Sequence, residues 1–171
     1  MPKFLFILCV FSIMSVNAQS IKLSELDTVD YFNFWEGTWE GTWPEGDQIG
    51  KAINNLSWIA GDKVLQENFE ITEGQNKGFK GTSISVYRSN LDVWKQAWAD
   101  NQGGYFDFTG AFNGDSRIFQ TSPVTRNDQL FIQRMVFKDI TKDSFTWDWE
   151  SSNDGGETWN LNWQISYTRI K

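Results

Sequence analysis

The chain has 171 residues, of which 22 are acidic and 15 basic, and its formal net charge is −7. The negative charge opposes binding to a phosphate backbone and argues against nucleic acid as a partner. There is no histidine and a single cysteine, Cys9. The body of the chain therefore lacks the usual zinc and copper ligands, a Ser-His-Asp triad and a thiol nucleophile.

Residues 1–18 have the pattern of a cleaved signal peptide. Lys3 gives a positive start, an apolar run follows, and small residues at positions 16 and 18 precede a cleavage point before Gln19. The apolar run is shorter than the roughly 20 residues that span a bilayer. We therefore expect cleavage after Ala18, a secreted or periplasmic protein, and no membrane span after removal of the signal; an uncleaved anchor is the alternative.

The remaining 171 − 18 = 153 residues are predicted to form a single domain, residues 19–171. No Pro/Ser-rich linker and no long block of charge interrupts them. Because Cys9 leaves with the signal peptide, disulfide bonds cannot stabilise this domain.

A short N-terminal helix is predicted up to about Asp30. Ser24 and Asp27 resemble a capping box, and apolar residues at positions 23, 26 and 29 can line one helical face. No second helical pattern follows.

From Phe34 onward the pattern is one of strands and turns. The stretch WEGTWEGTW, residues 35–43, repeats every four residues, which suits either a helix or a strand. Each of its two glycines would cost about 1 kcal/mol inside a helix, whereas Trp and Thr favour a pleated surface, so a strand is predicted. Nine further strands are predicted at about 49–59, 63–72, 77–88, 93–100, 104–112, 115–121, 129–138, 144–151 and 158–169.

The last of these strands shows what the strands have in common. Trp163, Ile165 and Tyr167 alternate with polar residues, so one face is buried and the other wet. Gly, Asn and Asp clusters separate the strands at short spacing. The sequence thus predicts an all-β, antiparallel fold of about ten strands with one short helix, either a sandwich or a closed barrel.

The stretch SNDGGETW, residues 152–159, fits the aspartate-box pattern of sialidase propellers. A propeller needs several four-stranded blades and more chain than this, and the box occurs only once. Asp154 can instead bond its own turn backbone, while Gly155 and Gly156 supply positive φ and Trp159 anchors the returning strand in the core. The box is interpreted as a structural hairpin.

Several motifs resemble a known family. The first strand carries G-x-W twice, at residues 37–39 and 41–43, and the last strand ends in Tyr-Thr-Arg at 167–169. This resembles the calycin signature of lipocalins and their relatives, in which an arginine from near the chain end covers the indole of the G-x-W tryptophan. The resemblance implies an up-and-down barrel with a central cavity, with Gly37, Trp39 and Arg169 closing its base through a cation–π contact.

The chain is more closely similar to an uncharacterised bacterial family of lipocalin-like barrels, a domain of unknown function. The likeness runs through FNFWEGTW, VWKQAWAD, RMVF and WESSNDGGETWNLNWQISYTR, from about Phe32 to Arg169. It implies a fold and no established activity. The related nitrobindin-like barrels hold haem through a histidine, which this chain does not contain. No cofactor and no metal are therefore expected.

Three polar groups lie on otherwise apolar strand faces. Glu67 shares its face with leucine, phenylalanine and isoleucine, Arg134 shares its own with aliphatic residues, and Gln96 lies between Trp94 and Trp98. If these faces point inward, Glu67, Gln96, Trp98 and Arg134 line a small-molecule pocket. A buried Glu67–Arg134 pair that only fills the core is an equal alternative.

Other chemistry is less well supported by the pattern. Asp148 and Glu150 are spaced at roughly 6–7 Å, which suits a glycosidase pair, but they alternate with tryptophans and are expected to face water. A calcium site built from these two acids with Asn153 and Asp154 fits no EF-hand spacing. Most of the ten tryptophans alternate with polar residues, as core positions do.

The favoured hypothesis is a binding protein for a small hydrophobic or amphipathic molecule, without catalysis. An isomerase or hydratase that uses Glu67 as acid and base near Arg134 is the alternative from a different class. A carbohydrate-binding module that uses exposed tryptophans is the third. Whether the protein is an enzyme stays open at this point, with binding favoured.

Overall fold

The structure, a computed structural model, describes residues 19–171; the predicted signal peptide lies outside the described residues. Three single 3₁₀ turns, at Leu23–Glu25, Thr28–Asp30 and Asn33–Trp35, precede the strands. The strands are β1 Gly37–Glu45, β2 Gln48–Ile59, β3 Val64–Glu73, β4 Lys80–Arg88, β5 Val93–Asp100, β6 Tyr105–Asn113, β7 Ser116–Thr121, β8 Val124–Arg126, β9 Gln129–Lys138, β10 Ser144–Ser152 and β11 Asn160–Arg169.

The strands form a closed antiparallel ring. Consecutive strands pair from β1 to β7, β7 pairs with β9, and β9, β10 and β11 continue the ring until β11 pairs with β1. The short β8 lies along the same edge of β9 as β7, at residues 129–131 rather than 134–137. Pro123, which has no N–H to donate, lies in the break between β7 and β8. The predicted all-β barrel of about ten antiparallel strands is confirmed, in the up-and-down order, and the sandwich alternative is wrong.

The predicted short N-terminal helical segment is confirmed, as three 3₁₀ turns rather than one continuous helix. Ser24 lies inside the first turn instead of capping it, and neither Lys22 nor Asp27, which precede the first two turns, makes a side-chain capping bond. The capping-box prediction is therefore wrong. The segment gains its order from tertiary contacts, because it closes one end of the barrel.

Aromatic side chains of this segment fill that end, here called the closed end. Phe32 stacks on Phe119 with ring centroids 4.5 Å apart, and Trp35 meets Phe137 edge-on at 4.8 Å. All four side chains are buried. The closed end is therefore filled by packed aromatic side chains.

Hydrogen bonds from the barrel wall hold the same segment in place. The indole N–H of Trp94 donates to the Thr28 carbonyl at 2.7 Å, and the Arg117 guanidinium donates to the Tyr31 carbonyl at 2.8 Å. Burial lowers the pKa of Arg117 to about 10, against the opposing effect of Asp115. Arg117 therefore remains charged at neutral pH and satisfies carbonyl groups of the 3₁₀ turns that have no partner inside the segment.

Candidate functional site

The closed end of the barrel is covered by Arg169. Trp39 and Arg169 are direct partners across β1 and β11, and the guanidinium carbon lies 4.0 Å from the centroid of the Trp39 ring. Arg169 also donates to the carbonyls of Glu36 at 2.6 Å and Phe34 at 2.8 Å. Gly37, at φ +118°, leaves room for this arginine, since a Cβ there would overlap the guanidinium. These are the residues for which the calycin resemblance implies a role in closing the base.

The open half of the barrel contains a cavity of about 170 Å³. Its wall is mainly aromatic, and its polar groups are few. The lining residues are Trp35, Glu67, Phe69, Phe79, Trp98, Asp100, Phe106, Phe108, Met135, Trp147, Trp149, Trp163, Ile165 and Tyr167.

The tryptophans of the wall are held by their neighbours. Trp147 and Trp149 lie parallel on β10 with ring centroids 6.4 Å apart, and Trp163 on β11 meets Trp147 edge-on at 5.6 Å. Trp98 on β5 lies over Gly81 on β4 so closely that a Cβ at residue 81 would overlap its ring. The ring faces are therefore fixed before any ligand arrives, which reduces the entropy lost on binding.

Glu67 is the buried carboxyl of the cavity, with 5 % of its surface exposed. It accepts hydrogen bonds from Asn54 Nδ2 on β2 at 2.7 Å and from Ser83 Oγ on β4 at 2.6 Å. Burial raises the pKa of Glu67 from 4.5 to about 7, and the two donors oppose that rise because they favour the charged form. Near neutral pH the carboxyl is therefore divided between its protonated and ionised forms.

Tyr167 and Trp35 are two further polar residues of the cavity lining. Burial raises the pKa of Tyr167 well above its usual value; the charge of Glu67 raises it further, while the Asn54 amide lowers it. The indole Nε1 of Trp35 is buried without a hydrogen-bond partner. An unpaired buried donor carries a desolvation penalty.

Asp100 places a second carboxyl in the lining, at the open end. Burial raises its pKa, but hydrogen bonds from the backbone N–H groups of Gly104 and Gln102 and from the Trp98 indole outweigh this, and the pKa is lowered. Asp100, and Glu67 in its ionised form, therefore bring negative charge to the cavity, while none of its described lining residues is basic.

Gln96 and Trp98 lie on the inner face of β5, as the sequence pattern predicts, but only Trp98 lines the cavity. Gln96 is buried and donates to Ser85 Oγ at 3.0 Å, while its carbonyl oxygen has no partner. Gln96 lies one inward-facing position nearer the closed end than Trp98. It pairs with Ser85 of β4, whereas Trp98 pairs with Ser83. It therefore belongs to the packed interior.

Arg134 does not reach the cavity, so the predicted meeting with Glu67 is wrong in both its ligand-binding and its core-pair forms. Met135 lies against the cavity, and Arg134 therefore points to the outer face of β9. There its Nε lies 2.6 Å from Glu150 Oε2, and its guanidinium carbon is 3.7 Å from the centroid of the Trp159 ring. Apolar residues occupy both faces of β9, so alternation alone could not identify the inner one.

The acidic pair on β10 also lies on the outer face, as predicted. Glu150 is bound to Arg134, and Asp148 accepts hydrogen bonds from Lys138 and, at 2.8 Å, from Gln164. Asp148 is buried rather than solvated, because these neighbours cover it. Two carboxylates engaged with protein cations leave no arrangement for glycoside hydrolysis, which requires one carboxylic acid and one free carboxylate.

The aspartate-box stretch forms a hairpin turn between β10 and β11. Asp154 accepts hydrogen bonds from Ser152 Oγ at 2.6 Å and from the Thr158 backbone N–H at 3.0 Å. These bonds hold the pKa of Asp154 well below its usual value. Gly155 and Gly156 adopt positive φ. Trp159 differs from expectation: it is half-buried outside the barrel beneath Arg134, and its Nε1 donates to the turn at Gly156.

A second concavity of about 470 Å³ lies outside the barrel, over strands β2 to β5. Asn55, Asn68, Thr82 and the ion pair between Glu70 and Lys80, with N–O distance 3.0 Å, contribute to its lining. It lacks the enclosed aromatic wall of the inner cavity. The inner cavity is therefore the stronger candidate for a small-molecule site.

Three properties of residues 19–171 bear on the alternatives. All ten tryptophans lie in this range, and each is buried or half-buried, so none forms the exposed platform that a glycan-binding surface uses. No cluster of three or more Asp, Glu, His or Cys side chains is placed to hold a metal ion in that range. Within it there is also no helix with the length and apolar character needed to cross a membrane.

The fold and the cavity together define a closed antiparallel β-barrel with an aromatic interior site, consistent with a calycin-like barrel. No protein-family model matches the chain, and no curated protein is significantly similar to it in sequence.

Proposed function

We propose that this protein binds a small, mainly apolar molecule in the barrel cavity without converting it, and that it acts outside the cytoplasm. The observation that carries the proposal is the cavity of about 170 Å³, walled by aromatic rings, with Glu67 as its buried carboxyl. A mostly apolar wall with a few polar groups is the usual composition of a small-molecule site.

The size of the cavity limits the ligand. An engineered apolar cavity of about 150 Å³ in another protein holds benzene, and the 170 Å³ cavity here is only slightly larger. We therefore propose a ligand, or a ligand moiety, of about one ring. Each 100 Å² of apolar ligand surface removed from water contributes about 2.5 kcal/mol before the costs of association, so a single ring supports weak to moderate affinity.

We also propose that the chain is a member of the lipocalin-like family that its motifs resemble. The arrangement of Gly37, Trp39 and Arg169 at the closed end supports this. The proposal of a secreted or periplasmic location is supported by the pattern of residues 1–18, which carries a basic start, an apolar run and small residues before Gln19.

The direct test is binding of fluorobenzene, followed by ¹⁹F NMR line broadening. Wild-type protein is expected to broaden and shift the signal. Met135→Trp places an indole in the cavity and should abolish the effect. Ile84→Trp adds the same side chain at an exposed position of β4 and should leave binding unchanged.

Equal binding by all three proteins would show that fluorobenzene is held elsewhere, and no binding by the wild type would reject the proposed site. Native mass spectrometry of protein purified from its own host then identifies the natural ligand. A near-stoichiometric adduct that is released on denaturation is expected from wild type, and its loss is expected from Met135→Trp.

Acid–base catalysis in the same cavity is a second candidate function, favoured by the pKa of Glu67 near 7. A group that titrates close to the working pH can both accept and donate a proton. Arg134 takes no part, and Tyr167 is the neighbouring polar group instead. Incubation of the identified ligand in D₂O with wild-type protein or Glu67→Gln tests this: deuterium uptake at carbon with wild type only supports an isomerase or hydratase, and equal uptake excludes it.

A further inference from the structure

We propose that the ligand of the aromatic cavity is a small organic cation, an amine or a quaternary ammonium, whose charge lies among the indole faces near Glu67. This inference rests on the proposed function and names the ligand class of the same site.

Charge is the first argument. Glu67 and Asp100 are the carboxyl groups among the described lining residues, and that lining contains no lysine or arginine. Tyr167 is neutral at physiological pH, because burial raises its pKa. An anionic ligand would meet like charge inside a region of low dielectric, whereas a cation would meet opposite charge. The cavity therefore discriminates by charge as well as by size.

The aromatic wall is the second argument. Trp98, Trp147, Trp149 and Trp163 line one cavity. The face of an indole carries negative electrostatic potential, and aromatic cages of this composition bind quaternary ammonium groups, with about 2 kcal/mol from each desolvated contact. A neutral hydrocarbon would gain from the apolar surface but not from this potential.

The arginines of the protein differ from a cavity ligand in which aromatic rings they contact. Elsewhere among residues 19–171 the protein places its own cations on aromatic rings: Arg169 lies over Trp39 at 4.0 Å, Arg134 over Trp159 at 3.7 Å and Arg117 over Phe34 at 5.1 Å. In the described part of the chain, none of these arginine contacts falls on a tryptophan of the cavity wall. The same interaction is therefore left for a ligand to make.

The position of Glu67 sets the expected pH dependence. The groups that face it are Asn54 from β2, Ser83 from β4, Tyr167 from β11 and, farther out at the open end, Asp100 from β5. With the pKa of Glu67 about 7, the ionised form that attracts a cation is scarce at pH 5.5 and predominates at pH 8. Affinity for a ligand that stays cationic from pH 5.5 to pH 8 should therefore rise over that range, by about tenfold.

The experiment compares three ligands of similar shape that differ in charge. Benzylammonium, ethylbenzene and benzoate are titrated into the full protein at pH 5.5 and pH 8, with binding followed by calorimetry and tryptophan fluorescence. We expect benzylammonium to bind at least tenfold more tightly than ethylbenzene at pH 8 and benzoate to bind most weakly.

Two variants locate the effect. Glu67→Gln should weaken benzylammonium binding at pH 8 by about tenfold and remove its pH dependence. Glu70→Gln, on the same strand and lining the outer concavity, should behave as wild type. Wild-type titrations alone keep the test decisive if a variant fails to fold.

The outcomes separate the two proposals. Ethylbenzene or benzoate binding as tightly as benzylammonium overturns the cation inference and leaves a ligand-binding cavity intact. An unchanged pH dependence in Glu67→Gln also overturns it, because the charge of the ligand would then not interact with the Glu67 carboxylate. Failure of all three ligands to bind, together with failure of fluorobenzene, rejects the cavity as a ligand site and the inference with it.

Discussion

Ser83 and Glu67 face each other across β4 and β3 inside the barrel, and Ser83 Oγ donates to Glu67 Oε2 at 2.6 Å. Asn54 supplies a donor to the other carboxylate oxygen from β2. The carboxyl group is thus fixed by strands on both sides, and these donors limit the rise in pKa that burial causes. The hydrogen bond from Ser83 therefore influences the pKa of Glu67, and with it the charge of the cavity.

Removing this donor should raise the pKa of Glu67 further. In Ser83→Ala the ionised carboxylate loses a charge-assisted hydrogen bond, and we expect its pKa to rise above 7 by about one unit or more. The carboxyl stretch in difference infrared spectra, recorded from pH 5 to 9, reports the titration directly.

The matched control is Ser85→Ala, on the same face of the same strand. Ser85 accepts a hydrogen bond from Gln96 and makes none to Glu67. Its replacement should leave the titration of Glu67 where it is in the wild type. Equal shifts in the two variants would mean that general loosening of β4, rather than the Ser83 bond, controls the carboxyl.

The raised pKa of Glu67 also predicts how stability depends on pH. The folded value is about 7, against 4.5 for the free group, so the protonated form is favoured in the folded state by about 3 kcal/mol. This contribution is fully present below pH 4.5 and is lost as the pH rises through 7. Relative to Glu67→Gln, the wild type should therefore lose about 3 kcal/mol of unfolding free energy between pH 4.5 and pH 8.

Urea denaturation of both proteins at several pH values measures this difference. The comparison with Glu67→Gln removes the contribution of every other titrating group, since those groups are common to both proteins. Parallel stability curves would show that Glu67 titrates in the folded protein as it does in the unfolded chain, contrary to the burial argument.

Much of the barrel follows from alternation and turn residues. The Gly, Asn and Asp clusters that the sequence predicts between strands include Gly61-Asp62, Gly114 and Asn127-Asp128; these residues lie between strands, and each adopts positive φ. Such conformations are tolerated chiefly by Gly, Asn and Asp, which is why these turns are readable in the sequence. The inward position of Glu67 likewise follows from the apolar residues that share its face.

The remaining features depend on contacts between distant strands. Both faces of β9 carry apolar residues, so the outward direction of Arg134 is decided by its pairing with Glu150 on β10. The burial of Asp148 on an outer face depends on Lys138 and Gln164 from the two neighbouring strands. The alternation of residues along a strand distinguishes its two faces, but it does not show which residues of the neighbouring strands they contact.

Arg169 is expected to be a major contributor to stability at the closed end. Arg169→Ala removes the contact with the Trp39 ring and hydrogen bonds to the carbonyls of Phe34 and Glu36. Since these carbonyls would lose a charged donor, we expect a loss of about 3 kcal/mol in unfolding free energy. Urea denaturation at pH 7 measures it.

Arg88→Ala serves as the control for loss of a positive charge, because Arg88 is exposed at the end of β4. It should change stability by less than about 0.5 kcal/mol. A similarly small effect of Arg169→Ala would mean that the 3₁₀ segment closes the barrel without this arginine.

The hairpin at residues 152–159 can be tested through a single amide. Asp154 accepts from the Thr158 backbone N–H, and hydrogen bonds from Ser152 and Thr158 hold its pKa below the usual value of 3.8. Asp154→Ala should speed hydrogen exchange at Thr158 by about tenfold, because that N–H loses its acceptor. Glu157→Ala, an exposed change in the same turn, should leave the rate unchanged.

The same bonds give the turn an acid dependence of opposite sign to that of Glu67. A carboxyl whose folded pKa is depressed adds stability above its unfolded value of 3.8, and that stability is lost as the pH falls through the folded pKa. Wild-type protection at Thr158 should therefore decrease only at strongly acidic pH, while Asp154→Ala should show no such decrease. If the two proteins respond alike to acid, Thr158 is protected by the strands rather than by Asp154.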